Sequence, residues 1–192
     1  MLSACAGNGT AEQATEAGTT DTVAEVTTDT GGEGGDKTYE GDGYSFSYPG
    51  DWDEGTARQV ASGSSEVVVS PTGSGESFVS TAVAHDVFPG PVTQANFDDE
   101  FPLDLVRSEL SKAMEPRGNV LEGDPVRVSH AGLLGLEFRA SSTGRDPEIH
   151  YRNIWLFDGR TQYVINCQFT DARAEEVGQG CDLVLSSFQL SD

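Results

Sequence analysis

The sequence predicts an α+β domain: an antiparallel sheet of about six or seven strands with helices packed on it. Three observations carry this prediction. Short runs alternate apolar and polar residues with a period of two, as strands half buried in a sheet do. Two segments, residues 98–114 and 171–188, instead repeat apolar residues at spacings of three and four, the mark of helices that bury one stripe. Between residues 133 and 170 only short turns separate the alternating runs, which favours antiparallel hairpins over parallel crossovers.

The domain is expected to occupy residues 38–192. Residues 6–37 contain no Leu, Ile, Met or aromatic side chain and are built largely from Thr, Gly, Ala, Asp and Glu. Such a segment cannot bury enough surface to offset the entropy of ordering it, so a disordered acidic tether is expected there. Its r.m.s. reach would be roughly 30–35 Å. The glycines at 31, 32, 34 and 35 read as linker and not as a phosphate loop, with no strand before them and no helix after.

Within the domain, Tyr44, Phe46 and Tyr48 alternate with serines and place three aromatic rings on one strand face, as core. Pro49 and Gly50 end that strand, and Trp52 is expected to close over an edge. Residues 66–70 and 77–85 read as two more strands about a turn at 71–75. The period then changes. Phe101, Leu105, Val106, Leu110, Ala113 and Met114 make one face of a single helix over 98–114, with Asp98, Asp99 and Glu100 at its favourable N-terminal end and Pro102 in its first turn. Strands resume at 119–129, 133–141, 148–157 and 161–170, with turns at 142–144 and 158–159. The last helix, 171–188, would bury Val177, Cys181, Val184, Leu185 and Phe188.

Charge narrows the function classes. There are 32 acidic residues against 11 basic ones, a net charge of −21. That balance repels phosphate backbones and anionic head groups, so no nucleic-acid partner is expected. No apolar run approaches the length of a membrane span. The N-terminus offers another route to a membrane. Leu2, Ser3, Ala4 and Cys5 match the lipobox of a bacterial lipoprotein signal peptide, so residues 1–5 read as its remnant and Cys5 as the lipid-bearing residue. The charged and apolar regions that should precede a lipobox are not in the sequence, pointing to a chain trimmed near the cleavage site or a start assigned too far downstream. The expected location is the extracytoplasmic face of the cell membrane, with a diacylated anchor strong enough to hold. Lipidation of Cys5 would leave Cys167 and Cys181 as an even pair. Tyr163, Ile165, Cys167 and Phe169 share a strand face, and the helix stripe through Cys181 would pack on it. A disulfide is therefore expected, with two separate buried thiols as the alternative.

Catalytic patterns are absent. There is no nucleophile elbow, zinc-protease helix motif, Walker loop or dinucleotide fingerprint, and no cofactor is expected. His85, His130 and His150 are far apart in sequence. The run from Asp51 to Gly55 only superficially resembles a calcium loop, because its Gly falls at the fifth place and no distal bidentate Glu follows. No metal set is expected, and 25 acids in the domain make carboxylate pairs uninformative. His150 and Arg152 share the solvent-leaning face of their strand, opposite Tyr151 and Trp155, and could meet an anionic group, but a covered or merely polar sheet face is the preferred explanation.

The order of elements, together with Tyr44, Phe46, Tyr48, Pro49 and Trp52, resembles the Y-x-F-x-Y-P-x-x-W opening of PsbP-like domains. The closing Ser186, Ser187 and Phe188 fit the same pattern. With the lipobox and tether, the chain is most similar to LpqN/LpqT-type actinobacterial lipoproteins. The resemblance implies a PsbP-like α-β-α sandwich without a catalytic residue set, acting as an accessory or adaptor protein with an envelope partner. A second reading is a small hydrophobic ligand held between the sheet and the central helix, lined by Leu105, Leu110, Phe138 and Trp155. An enzyme ranks third.

Overall fold

The computed structural model describes residues 35–41, 43–61 and 64–191, with 56–61, 64 and 65 as backbone alone. Cys5 and residues 6–34 of the expected tether lie outside them. The first strands are β1 (Lys37–Glu40) and β2 (Tyr44–Tyr48). Then come β3 (Trp52–Ala61), β4 (Ser64–Pro71) and β5 (Phe78–Ala84). Two helices follow, α1 (Phe97–Glu100) and α2 (Leu103–Met114). Four long strands, β6 (Asn119–His130), β7 (Leu133–Ser142), β8 (His150–Asp158) and β9 (Thr161–Phe169), lead to α3 (Ala174–Ser187) and the two-residue β10 (Gln189–Leu190).

β3 to β9 make one seven-stranded antiparallel sheet in the order β3-β4-β5-β9-β8-β7-β6. β1, β2 and β10 form a separate three-stranded sheet. The α+β prediction therefore holds. The small sheet and the parts played by β1, β3 and β10 were not legible: β1 and β10 are too short for a period, and residues 51–55 look like a turn because acids and Gly dominate them.

Register explains which face is which. One cross-strand row runs Val67, Thr81, Ile165, Ile154, Glu137. Its first four members are at most 1% exposed. This face carries α3 and the small sheet. Tyr44, Phe46 and Tyr48 lie in the same core as Val177, Cys181, Val184, Leu185 and Phe188, so the helix stripe meets the aromatic strand as well as the Cys167 strand on which it was expected to pack. Tyr44 stacks against Phe188 at 5.8 Å and meets the edge of Tyr163 at 5.9 Å. Ser187 accepts the Ser47 amide at 2.7 Å, tying the end of α3 to β2. Cys167 and Cys181 are bridged, with Cα atoms 6.0 Å apart, so the open choice between bridge and thiols is decided.

The opposite face carries α1 and α2, which pack Phe97, Phe101, Val106 and Leu110 on Leu136, Phe138 and Phe157. The single helix expected over 98–114 is broken. Phe101 adopts φ −127, ψ 65 and Pro102 is the N-cap of α2. The proline ring disfavours helical backbone at the residue before it, so the first four residues close as a separate turn. Restarting at Leu103 puts Val106 and Leu110 inward, and Leu105 points outward at 54% exposure. Its expected place on the apolar face is thus corrected. Among the described residues no helix is long and apolar enough to cross a membrane.

Gly180 lies against the Trp52 ring, where an added Cβ would overlap the indole. Gly178, one residue beyond its neighbour, has open space. Gly180→Ala is expected to destabilise by about 1–2 kcal/mol, since overpacking outweighs the better helix propensity. Gly178→Ala should stabilise by about 0.4–1 kcal/mol. Urea unfolding of both variants checks the pair. Reduction of the Cys167–Cys181 bridge, or Cys167→Ala with Cys181→Ala, should cost about 3 kcal/mol, read as a lower Tm.

Candidate functional site

The face that holds α2 is only half covered. A second cross-strand row, Val68, Ser80, Asn166, Asn153, Phe138, changes from mixed and polar to apolar as it approaches the helix. A third runs Glu66, Ala82, Val164, Trp155, Leu136. Val68, Phe78, Ala82 and Val164 are partly exposed and belong to neither core cluster. The α2 segment packs over β6, β7 and the end of β8, leaving β4, β5 and β9 without a layer from the described residues on this side.

Where the helix stops, a cleft of about 640 Å³ opens. Leu110, Ala113 and Met114 of α2 make one wall, and Phe138, Trp155 and Val164 make an apolar floor. Trp155 meets Phe138 edge-on, with centroids 4.9 Å apart. Tyr151, Asn153 and Gln162 extend the floor with polar groups. Glu109, Lys112 and Arg117 stand at the mouth. Lys112 donates to Glu109 at 2.8 Å, so those two charges cancel. Arg117 has no carboxylate partner among the described residues. Its turn is fixed from below: Gly118 takes a left-handed φ of 70, and its carbonyl accepts the Thr143 amide and the Thr143 hydroxyl at 2.8 Å from the latter.

Of the residues singled out for a ligand, Leu110, Phe138 and Trp155 are brought together in this cleft, while Leu105 lies outside it. His150 and Arg152 are on the other face, the one covered by α3. Their face does not lean to solvent: α3 packs over it, which agrees with the preferred covered-face explanation and not with an open anion site. Arg152 holds Glu137 through two bonds of 3.1 and 3.0 Å and Asp182 of α3 at 2.7 Å. Burial pulls the guanidinium pKa down, but the hydrogen bonds to Glu137 and Asp182 outweigh it and hold it above its ordinary value. His150 stacks on Phe169 and sits 3.5 Å from Glu122 and 3.1 Å from Asp171. These residues lock the sheet to the chain leading into α3. Arg117, Asn153 and Gln162 were missed by sequence reasoning. Arg117 carries no local signal beyond being one arginine among many acids, and the strands that bring the two amides beside α2 are set by tertiary register. No group of three or more His, Cys, Asp or Glu side chains suited to a metal occurs among the described residues.

Glu137 is 14% exposed and Asp182 72%, so the Glu137 side of the Arg152 fork dominates. Arg152→Met should cost about 1–3 kcal/mol by stranding a partly buried carboxylate. Arg152→Lys should recover only part of it, since a point charge cannot hold two carboxylates as a planar fork does. Thermal unfolding at neutral pH reads both.

No family model matches the sequence, and no curated protein matches it. Solved structures do. The cyanobacterial PsbP protein CyanoP of Synechocystis sp. PCC 6803 superposes with a TM-score of 0.60 at 17% identity, over 86% of this chain and 99% of that one. LpqN of Mycobacterium tuberculosis, described as involved in cell envelope biogenesis, superposes with a TM-score of 0.50 at 12% identity, over 85% and 88%. At these identities the likeness is one of fold. The chain has the PsbP-like α+β fold, in the form shared with CyanoP and LpqN.

Proposed function

We propose that this chain is a non-enzymatic accessory protein of the cell envelope, held at the extracytoplasmic face of the membrane by a lipid on Cys5, which docks an envelope protein on the uncovered half of its sheet. The observation that carries the reading is the asymmetry of the two faces. One is sealed by α3 and the small sheet. The other leaves Val68, Phe78, Ala82 and Val164 partly exposed on a rigid, strand-built platform. Such a platform suits recognition, since its contacts are fixed by the ladder and need no ordering on binding. The lining of the adjoining cleft contains no His, Cys, Asp or Ser, and its Glu109 and Lys112 are taken up by each other. The envelope role named for LpqN, and the lipobox read at Cys5, support the location.

A photo-crosslinking residue at Val68 or Val164, in cells expressing the protein with a complete signal peptide, should trap one discrete envelope protein. The same probe at Leu190, on the small sheet, should not. Equal trapping from both faces, or none from Val68 and Val164, would sink the docking proposal. Cys5→Ala should move the protein from the membrane to the soluble fraction; unchanged fractionation counts against the anchor.

A further inference from the structure

The geometry points to the α2 cleft as a binding site for a single-chain amphiphile with an anionic head, its tail on Trp155 and Phe138 and its head on Arg117. This goes beyond the docking proposal and does not depend on it, because the cleft would take such a ligand whether or not a protein covers the rest of the sheet.

Three observations meet at this place. First, its size: about 640 Å³ falls inside the roughly 300–1,000 Å³ of small-molecule sites. Second, its lining: Leu110, Met114, Phe138, Trp155 and Val164 supply apolar side chains from both helix and sheet, with Met114, Trp155 and Val164 partly exposed. The thioether of Met114 is a flexible edge that adapts to different tails. Third, its charge. The chain carries −21 overall, and the arginines whose side chains are described are otherwise engaged. Arg107, Arg127, Arg139, Arg145, Arg152, Arg160 and Arg173 each lie within 4.0 Å of a carboxylate. Arg117 is the exception, and it stands at the mouth of the cleft. Beside it Glu109 and Lys112 neutralise each other, and Glu115 lines an adjoining groove on the β6 side that shares Lys112 and Asn119 with the cleft. The charged residues that line the cleft itself therefore sum to one positive charge in a strongly acidic protein. An unpaired guanidinium is a fork shaped for a carboxylate or a phosphate. The pinned turn at Gly118 keeps it at the rim.

The same anion could come from a carboxylate or from a phosphate ester, and the probes separate them. Decanoate, decyl phosphate and the uncharged decyl glucoside would be titrated into the whole chain below their micelle concentrations. Binding would be followed by calorimetry and by tryptophan emission. Trp52 is buried in the core at 2% exposure, so the emission change is assigned to Trp155 and should vanish in Trp155→Phe. The expected result is that at least one anionic amphiphile binds about tenfold or more tightly than the glucoside, and that Arg117→Gln removes this preference. Arg117 is exposed, so the variant should fold. The tighter of the two anions identifies the head-group chemistry. Equal binding of charged and neutral probes, an undiminished preference in Arg117→Gln, or no binding of either anion would overturn the proposal. The crosslinking from Val68, which lies outside the cleft, reads the docking proposal separately.

Discussion

The structure depends on the contact between α3 and the centre of the large sheet. Gly180 lets the Trp52 indole occupy the space a Cβ would take on the helix, and Cys181, one residue on, is bonded to Cys167 on β9. β9 sits in the middle of the seven-strand order. A helix fastened there fixes the layer spacing for every strand beside it. The small sheet follows from the same contact: β10 continues directly from α3 and pairs with β2, whose aromatic face then completes the core.

The polar groups on that covered face are handled by pairing. Glu137 ends a row that is otherwise apolar but for Thr81, and Arg152 holds it together with Asp182. Desolvating such charges is costly unless hydrogen bonds satisfy them, and here one guanidinium serves two carboxylates from different layers. His150 occupies a similar place between Glu122 and Asp171. The histidine and the arginine that look most functional in the sequence are thus fastenings between layers.

The opposite face works under a different constraint. Pro102 ends α1 and restarts the helix as α2, which is long enough to cover β6 and β7 but not β9. The uncovered strands keep amides and small side chains, such as Asn153, Asn166 and Ser80, among their apolar residues. Such a surface tolerates water and still offers flat apolar area to a partner. The cleft lies at the step between covered and uncovered sheet, where helix wall and sheet floor meet at an angle and Arg117 closes the end.

By itself the sequence determined the class of fold and much of the core. Period-two runs placed six of the large sheet's strands, because each strand buries a single face and writes that face into alternate residues. The stripe from Val177 to Phe188 located α3 for the same reason at its own period. The sequence also held the cysteine pair in the right elements, although only the packed helix showed that the sulfurs meet. Tertiary structure alone decided the rest. β1 and β10 are too short to show a period, and they are strands because they pair with β2. Leu105 looked like part of a stripe until the break at Pro102 reset the rotation of the helix. The face on which Arg152 lies is closed by α3, and that Arg117 has no carboxylate partner among the described residues depends on where the other charges ended up. Periodicity reports what one segment buries; a cleft or an unpaired charge belongs to segments far apart in the chain, and no local pattern records it.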